Sequence, residues 1–140
     1  MRILGIDPGE KRIGIAVSCE LALIAQGLEM IERVNLKKDI EKIVNIIEDF
    51  HVERVVVGLP KNMNGTLGNE ADKVFEFISH LEKAIKIPII TWDERLSTVA
   101  VNKMLIKANM SRNKRRQVVD KLAAVYILQG YLDELHKMDE

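Results

Sequence analysis

Residues 2–18 read RILGIDPGEKRIGIAVS. Arg2 to Ile6 is apolar enough for a buried strand. It stops at Asp7, where Pro8 and Gly9 signal a turn. Ile13 to Val17 form a second apolar run, close enough to the first to pair with it as a hairpin. A third short strand is expected over Gly27 to Ile31, where Leu28, Met30 and Ile31 carry the apolar signal. From Leu36 the period changes. Leu36, Ile40, Ile43, Val44, Ile47 and Phe50 fall at helical spacing, with Lys37, Lys38, Asp39, Glu41 and Lys42 on the other side. Val55-Val56-Val57 reads as a β-branched buried strand that ends at Gly58-Leu59-Pro60. A polar loop with an Asn64-Gly65 turn follows, up to Asn69. Asn69 is the expected N-cap of a helix using Ala71, Val74, Phe75, Ile78 and Leu81, with Glu70 and Asp72 at its positive end. Pro88 to Trp92 is a short strand leading into Asp93-Glu94. A helix from about Leu96 to Lys107, a basic turn, and a last helix with Val119, Leu122, Ala123, Tyr126, Ile127 and Gly130 on one stripe complete the chain. Three hairpin-linked strands followed by alternating helices and strands predict an α/β domain, a mixed sheet flanked by helices, over residues 1–140.

Composition narrows the function. The 140 residues are 47% hydrophobic and 30% charged, with 8 Gly and 3 Pro, which excludes a disordered or low-complexity chain. No apolar run approaches the roughly 20 residues of a spanning helix, and the apolar start meets Asp7 before a signal core can develop. Cys19 is the single cysteine, which excludes an intrachain disulfide and a cysteine zinc site and fits a reducing compartment. A cytoplasmic protein without a membrane partner is expected. The net charge is zero, yet residues 95–121 carry eight cations against the single acid Asp120. That asymmetry keeps a polyanionic partner open.

Three acids occupy unusual places. Asp7 closes the first strand, Glu94 (or its neighbour Asp93) closes the last, and Asp120 borders the apolar stripe of the final helix. In open parallel sheets, functional groups gather beyond the carboxyl ends of strands. Carboxylates brought together repel unless a cation neutralises them, which is the chemistry of a Mg²⁺ or Mn²⁺ site. Two such ions clamp the attacking and leaving oxygens of an in-line phosphoryl displacement. Ala123 and Ala124 beside Asp120 are small enough to let the helix approach the sheet and bring Asp120 toward Asp7. Arg112, Lys114, Arg115 and Arg116 crowd the start of a helix, where the macrodipole penalises each cation by about 0.3–1 kcal/mol. A phosphate substrate explains that arrangement.

Four ordered stretches, GIDPGEKRIGIAVS, VVVGLPKNMNGTLG, WDERLST and VVDKLAAVYILQGYLD, resemble the motifs of the bacterial YqgF family over nearly the whole chain. These RNase H-like proteins are described as Holliday-junction resolvases and as nucleases maturing the 5′ end of small-subunit ribosomal RNA. The resemblance implies an RNase H-like sheet of five strands in the order 3-2-1-4-5. It also implies that Asp7, Glu94 and Asp120 form a catalytic, metal-binding acidic site for Mg²⁺ or Mn²⁺, with two ions. Glu94 on the next strand stands in for the acid that related nucleases often carry at the fourth strand's end. Cys19 occupies a position where an acid is expected.

The expected activity is metal-dependent hydrolysis of nucleic-acid phosphodiesters, foremost in 5′ processing of precursor small-subunit ribosomal RNA, with branched DNA as the alternative substrate. Lys11 and Arg12 beside Asp7, Arg95 after Glu94, and the basic stretch of Arg112, Lys114, Arg115 and Arg116 are the candidate phosphate contacts. Lys61, Asn62, Asn64 and Thr66 are candidates for the rim. Trp92 is expected to pack rather than stack on a base. A resolvase would be expected to act as a homodimer, whereas trimming RNA requires one active site. Two rivals stand beside this reading: an ATP-handling relative of the actin and sugar-kinase fold, and a non-catalytic ribosome-assembly factor that binds through the basic turn.

Overall fold

In the computed structural model, residues 1–60, 68–93, 108 and 111–138 are described, apart from the side chains of residues 113, 115–121 and 138. The strands are β1 (Arg2–Pro8), β2 (Arg12–Ser18), β3 (Ala25–Glu32), β4 (Val52–Leu59) and β5 (Ile89–Asp93). The helices are α1 (Leu36–Asp49), α2 (Asn69–Ala84) and α3 (Arg112–Met138). The expected helix over residues 96–107 lies outside the described residues. The strands form one sheet in the order β3-β2-β1-β4-β5. β1 pairs antiparallel with β2, and β2 with β3; β1 pairs parallel with β4, and β4 with β5. The mixed sheet is the one expected, with β4 starting three residues earlier and β3 two residues earlier than the apolar runs suggest.

Two cores follow from strand alternation. Leu4, Ile6, Ile13, Ile15, Val55 and Val57 face α1 and α2, whose Ile40, Ile43, Val74, Phe77 and Leu81 close that side. Ile3, Ala16 and Val56 face α3, which contributes Ala124, Ile127, Leu128 and Leu132. α1 starts where its cap predicts, the Asn35 side chain accepting from the Lys38 N–H at 2.9 Å.

Three expectations fail. Asn69 is not a cap: it opens α2, Gly68 holds the cap position in extended backbone, and the cap has no side-chain hydrogen bond. Phe75 is 43% exposed, and Phe77 fills the core instead. Val74, Phe77, Ile78 and Leu81 share a face at spacings of three and four, while Phe75 sits about 100° round from Val74. Asp39, placed by its charge on the solvent side of α1, is 1% exposed because Arg33 and a backbone N–H hold it.

Candidate active site

Asp7 sits at the end of β1, opposite Gly14 of β2 and half-buried. Alternation puts it on the same face as Ile3 and Gly5, the face that α3 covers. The turn beyond it is tight. The Gly9 N–H donates to the Asp7 carbonyl at 3.1 Å and to the Arg12 carbonyl at 2.9 Å. A Cβ on Gly9 would stand 2.6 Å from that Arg12 oxygen, so glycine is required there.

α3 touches β1 without side chains between them. A Cβ on Gly5 would lie 2.7 Å from Leu128 Cβ and 3.1 Å from the Ala124 carbonyl oxygen. The expected stripe is therefore rotated: Ala123, Ala124, Ile127, Leu128 and Leu132 are buried, while Tyr126 is 36% exposed. The small residues do allow the close approach for which they were singled out. A Cβ on Gly130 would lie 3.1 Å from the Trp92 ring nitrogen, and Tyr131 packs edge-on against that ring with centroids 5.9 Å apart. Trp92 thus packs, as expected. The direction of α3 is fixed by three contacts. His136 bonds the Ala22 carbonyl at 2.6 Å, Gln129 accepts from the Ala25 N–H at 2.9 Å, and Val125 lies against Gly27. Descending numbers in α3 therefore climb toward the carboxyl end of β1.

Of the expected acids, Asp7 is in place, Asp120 belongs to α3 one turn before Ala124, and Glu94 lies outside the described residues. Asp93 is described, half-buried at the end of β5 and in register with Leu59 of β4. It alternates with Trp92 and so takes the face opposite α3. Among the described residues no group of three metal-ligating side chains comes together. Of the cations, Lys11 is exposed at the hairpin tip, and Arg12 is exposed with its Nε donating to Glu32 at 2.9 Å. Arg112 and Lys114 are exposed at the start of α3, where the Ser111 hydroxyl accepts from the Lys114 N–H at 3.4 Å. The basic stretch is helical from Arg112 onward, at the helix start expected for these cations. The side chains of Arg115 and Arg116, and all of Lys61, Asn62, Asn64, Thr66 and Arg95, lie outside the described residues. Backbone N–H groups of Ile24, then Leu23, hold the Cys19 thiol below its ordinary pKa.

Sequence reasoning missed Gly5, Arg33 and Asp39. Gly5 is a lone glycine within a strand run, which signals a close backbone approach; that signal was present. Arg33 and Asp39 gave none, since their pairing depends on where the hairpin turn meets α1.

Residues 1–134 match the family model described as RuvX: Holliday junction resolvase. A relative from Desulforamulus reducens, named "Putative pre-16S rRNA nuclease", is 56% identical over 133 residues, covering 95% of this chain and 97% of its own. Relatives of the same name from Thermoanaerobacter pseudethanolicus and Clostridium tetani are 57% and 53% identical, covering 95% and 97% of this chain and 96% and 99% of their own. Among solved structures, RuvC of T. thermophilus in complex with a Holliday junction substrate aligns with a TM-score of 0.59 at 16% identity, over 96% of both chains. The Fowlpox virus Holliday junction resolvase aligns with a TM-score of 0.55 at 12% identity, over 96% of this chain and 99% of that one. These distant likenesses establish the fold, an RNase H-like one.

Proposed function

The chain belongs to the RuvX family of Holliday junction resolvases and is a nuclease; from that premise we propose that it is a metal-dependent nuclease, one domain over residues 1–140, whose site is Asp7, Glu94 and Asp120. The observation that carries the reading is the contact of Gly5 with Ala124 and Leu128. From Gly5 to Asp7 the strand climbs about 6.6 Å. From Ala124 back to position 120 the helix climbs about 6 Å in the same direction. Position 120 also precedes Ala124 by four and Ile127 by seven, the spacing of one helical face. These rises support a site in which the two acids stand at one level on one side of the sheet. Trp92 meets α3 with its ring and Asp93 takes the opposite face, which counts against Asp93 as the third acid and supports Glu94.

Carboxylate oxygens are hard donors, and the set suits Mg²⁺ or Mn²⁺. Asp7, Glu94 and Asp120 would hold two such ions, which when bound lower the pKa of water and neutralise charge on the phosphate. The chain's own residues do the rest. Gly9 and the hairpin register fix the backbone of Asp7. Ala124 and Leu128, seated on Gly5, set the height of α3. Lys11, Arg12, Arg95, Arg112, Lys114, Arg115 and Arg116 supply the positive surface that draws in and orients a phosphate backbone.

The favoured substrate is precursor small-subunit ribosomal RNA, after the names of relatives that are more than half identical to this chain. Branched DNA is the second reading, after the family description. Among the described residues no helix is long and apolar enough to cross a membrane, which fits action in the cytoplasm. The test is a cleavage panel in Mg²⁺ and Mn²⁺ with precursor ribosomal RNA, single-stranded RNA, duplex DNA and four-way junctions. Selective cleavage of the precursor RNA supports the first reading, and symmetric junction nicking by a dimer the second. Binding of RNA unchanged by metal removal, with no cleavage anywhere, would overturn both.

A further inference from the structure

We propose that Arg33, held by the buried carboxylate of Asp39, is a positioning residue that fixes the turn beyond Asp7 and through it the Asp7 carboxylate. The proposal rests on the reading of Asp7 as a metal-holding acid. Arg33 follows the end of β3, yet its guanidinium reaches across to the hairpin turn. One terminal nitrogen donates to the Gly9 carbonyl at 2.9 Å, and Nε donates to Asp39 at 3.2 Å. The guanidinium carbon stands over the Phe77 ring of α2 at 5.9 Å from its centroid, a cation–π contact. The backbone N–H of Arg33 donates to the Lys11 carbonyl at 3.0 Å. A single residue thus grips the turn at two carbonyls, two and four residues past Asp7.

Asp39 is built to hold that grip. Its second oxygen accepts from the Val34 N–H at 3.1 Å, so both oxygens are used inside the fold. The planar fork of arginine can donate to a carboxylate and a carbonyl at once; the single nitrogen of lysine lacks that fixed geometry. The polar cluster is costly to bury, and a cluster serving stability alone is often matched by apolar packing. Its placement beneath the turn, on the side of the sheet opposite α3, braces the turn where α3 does not reach.

The experiment compares wild type, Arg33→Lys and the double variant Arg33→Met with Asp39→Asn. The double variant removes the buried charge together with its partner, so the thermal midpoint should stay close to that of wild type while the Gly9 carbonyl loses its donor. Cleavage at saturating substrate should fall by about 10- to 100-fold with KM little changed, the effect of outer-shell changes around metal ligands. The Mn²⁺ half-saturation concentration, read by electron paramagnetic resonance without nucleic acid, should rise over a similar range. Amide exchange over residues 8–12 should quicken, and Arg33→Lys should lie between the two. A double variant with wild-type Mn²⁺ binding, wild-type turnover and unaltered exchange would overturn the proposal. If wild type itself neither cleaves nor binds Mn²⁺, the nuclease site is wrong. Amide exchange then decides alone: quickened exchange upholds Arg33 as the holder of the turn, and unchanged exchange removes it.

Discussion

Gly5 decides how near the last helix comes to the first strand. Gly5→Ala would place a methyl 2.7 Å from Leu128 Cβ, an atom fixed to the backbone of α3. Overpacking of this kind costs about 1–3 kcal/mol, so urea unfolding should show that loss, and a cleavage assay should show activity falling as the helix is pushed outward. Asp7→Asn, Glu94→Gln and Asp120→Asn should each abolish detectable cleavage while leaving the fold intact, since each removes a charge proposed to hold metal directly. Stability should hold or rise, because each change relieves repulsion within the acidic group. Wild-type turnover in any one would remove that residue from the site. At Cys19 the sign runs the other way. Its thiolate is favoured in the folded chain, so stabilisation by that group is present above the ordinary thiol pKa and is lost as pH falls through the lowered folded value. The pH midpoint of iodoacetamide alkylation should accordingly be lower for the native protein than for the urea-unfolded one.

Among the elements, α3 carries most of the proposed contacts. Its start combines exposed Arg112 and Lys114 with a positive helix end, an arrangement poor for the helix and good for phosphate. Changing Arg112, Lys114, Arg115 and Arg116 together to Gln should flatten the log–log salt dependence of nucleic-acid binding by about 0.7–0.9 per lost contact. Turnover at saturating substrate should fall much less than in Asp7→Asn. An unchanged salt slope would move the phosphate role to Lys11, Arg12 or Arg95. The existence and order of the described elements were legible, because periods of two and of 3.6 separate cleanly in runs such as Val55–Val57 and Leu36–Ile47. The buried faces were less so. The stripe of α3 was misjudged because Tyr126 counts as apolar whichever way it points, and the contacts with Gly5 and with β3 are what orient the helix. Phe75 was preferred to Phe77 for the same reason.

For the whole molecule, the proposed site needs acids distant in sequence to meet at one end of the sheet, and topology made Asp7 and Asp120 readable as a candidate pair. Their convergence requires β1 in the sheet's centre and α3 across it, and both hold. The brace of Arg33 and Asp39 was not readable, since buried charges are recognised only once their partners are known. Metal dependence is the test at this scale. Excess EDTA should abolish cleavage while leaving the circular-dichroism spectrum unchanged, since the cores use no metal, and added Mn²⁺ should restore activity. Full activity in EDTA would sink the two-metal mechanism.

The seating of Leu128 on Gly5 joins the earliest strand to the latest helix, and this has a consequence for synthesis. While the ribosome is still extending the chain, β1 to β5 can assemble, but the face of β1 bearing Asp7 lacks the cover of Ala124 and Leu128 until α3 has emerged. If Asp7 and Asp120 form the proposed site, a nascent chain carries no competent centre, however well its sheet has formed. On the proposed reading, a chain cut short before Ala124 should fold its sheet yet fail to cleave nucleic acid.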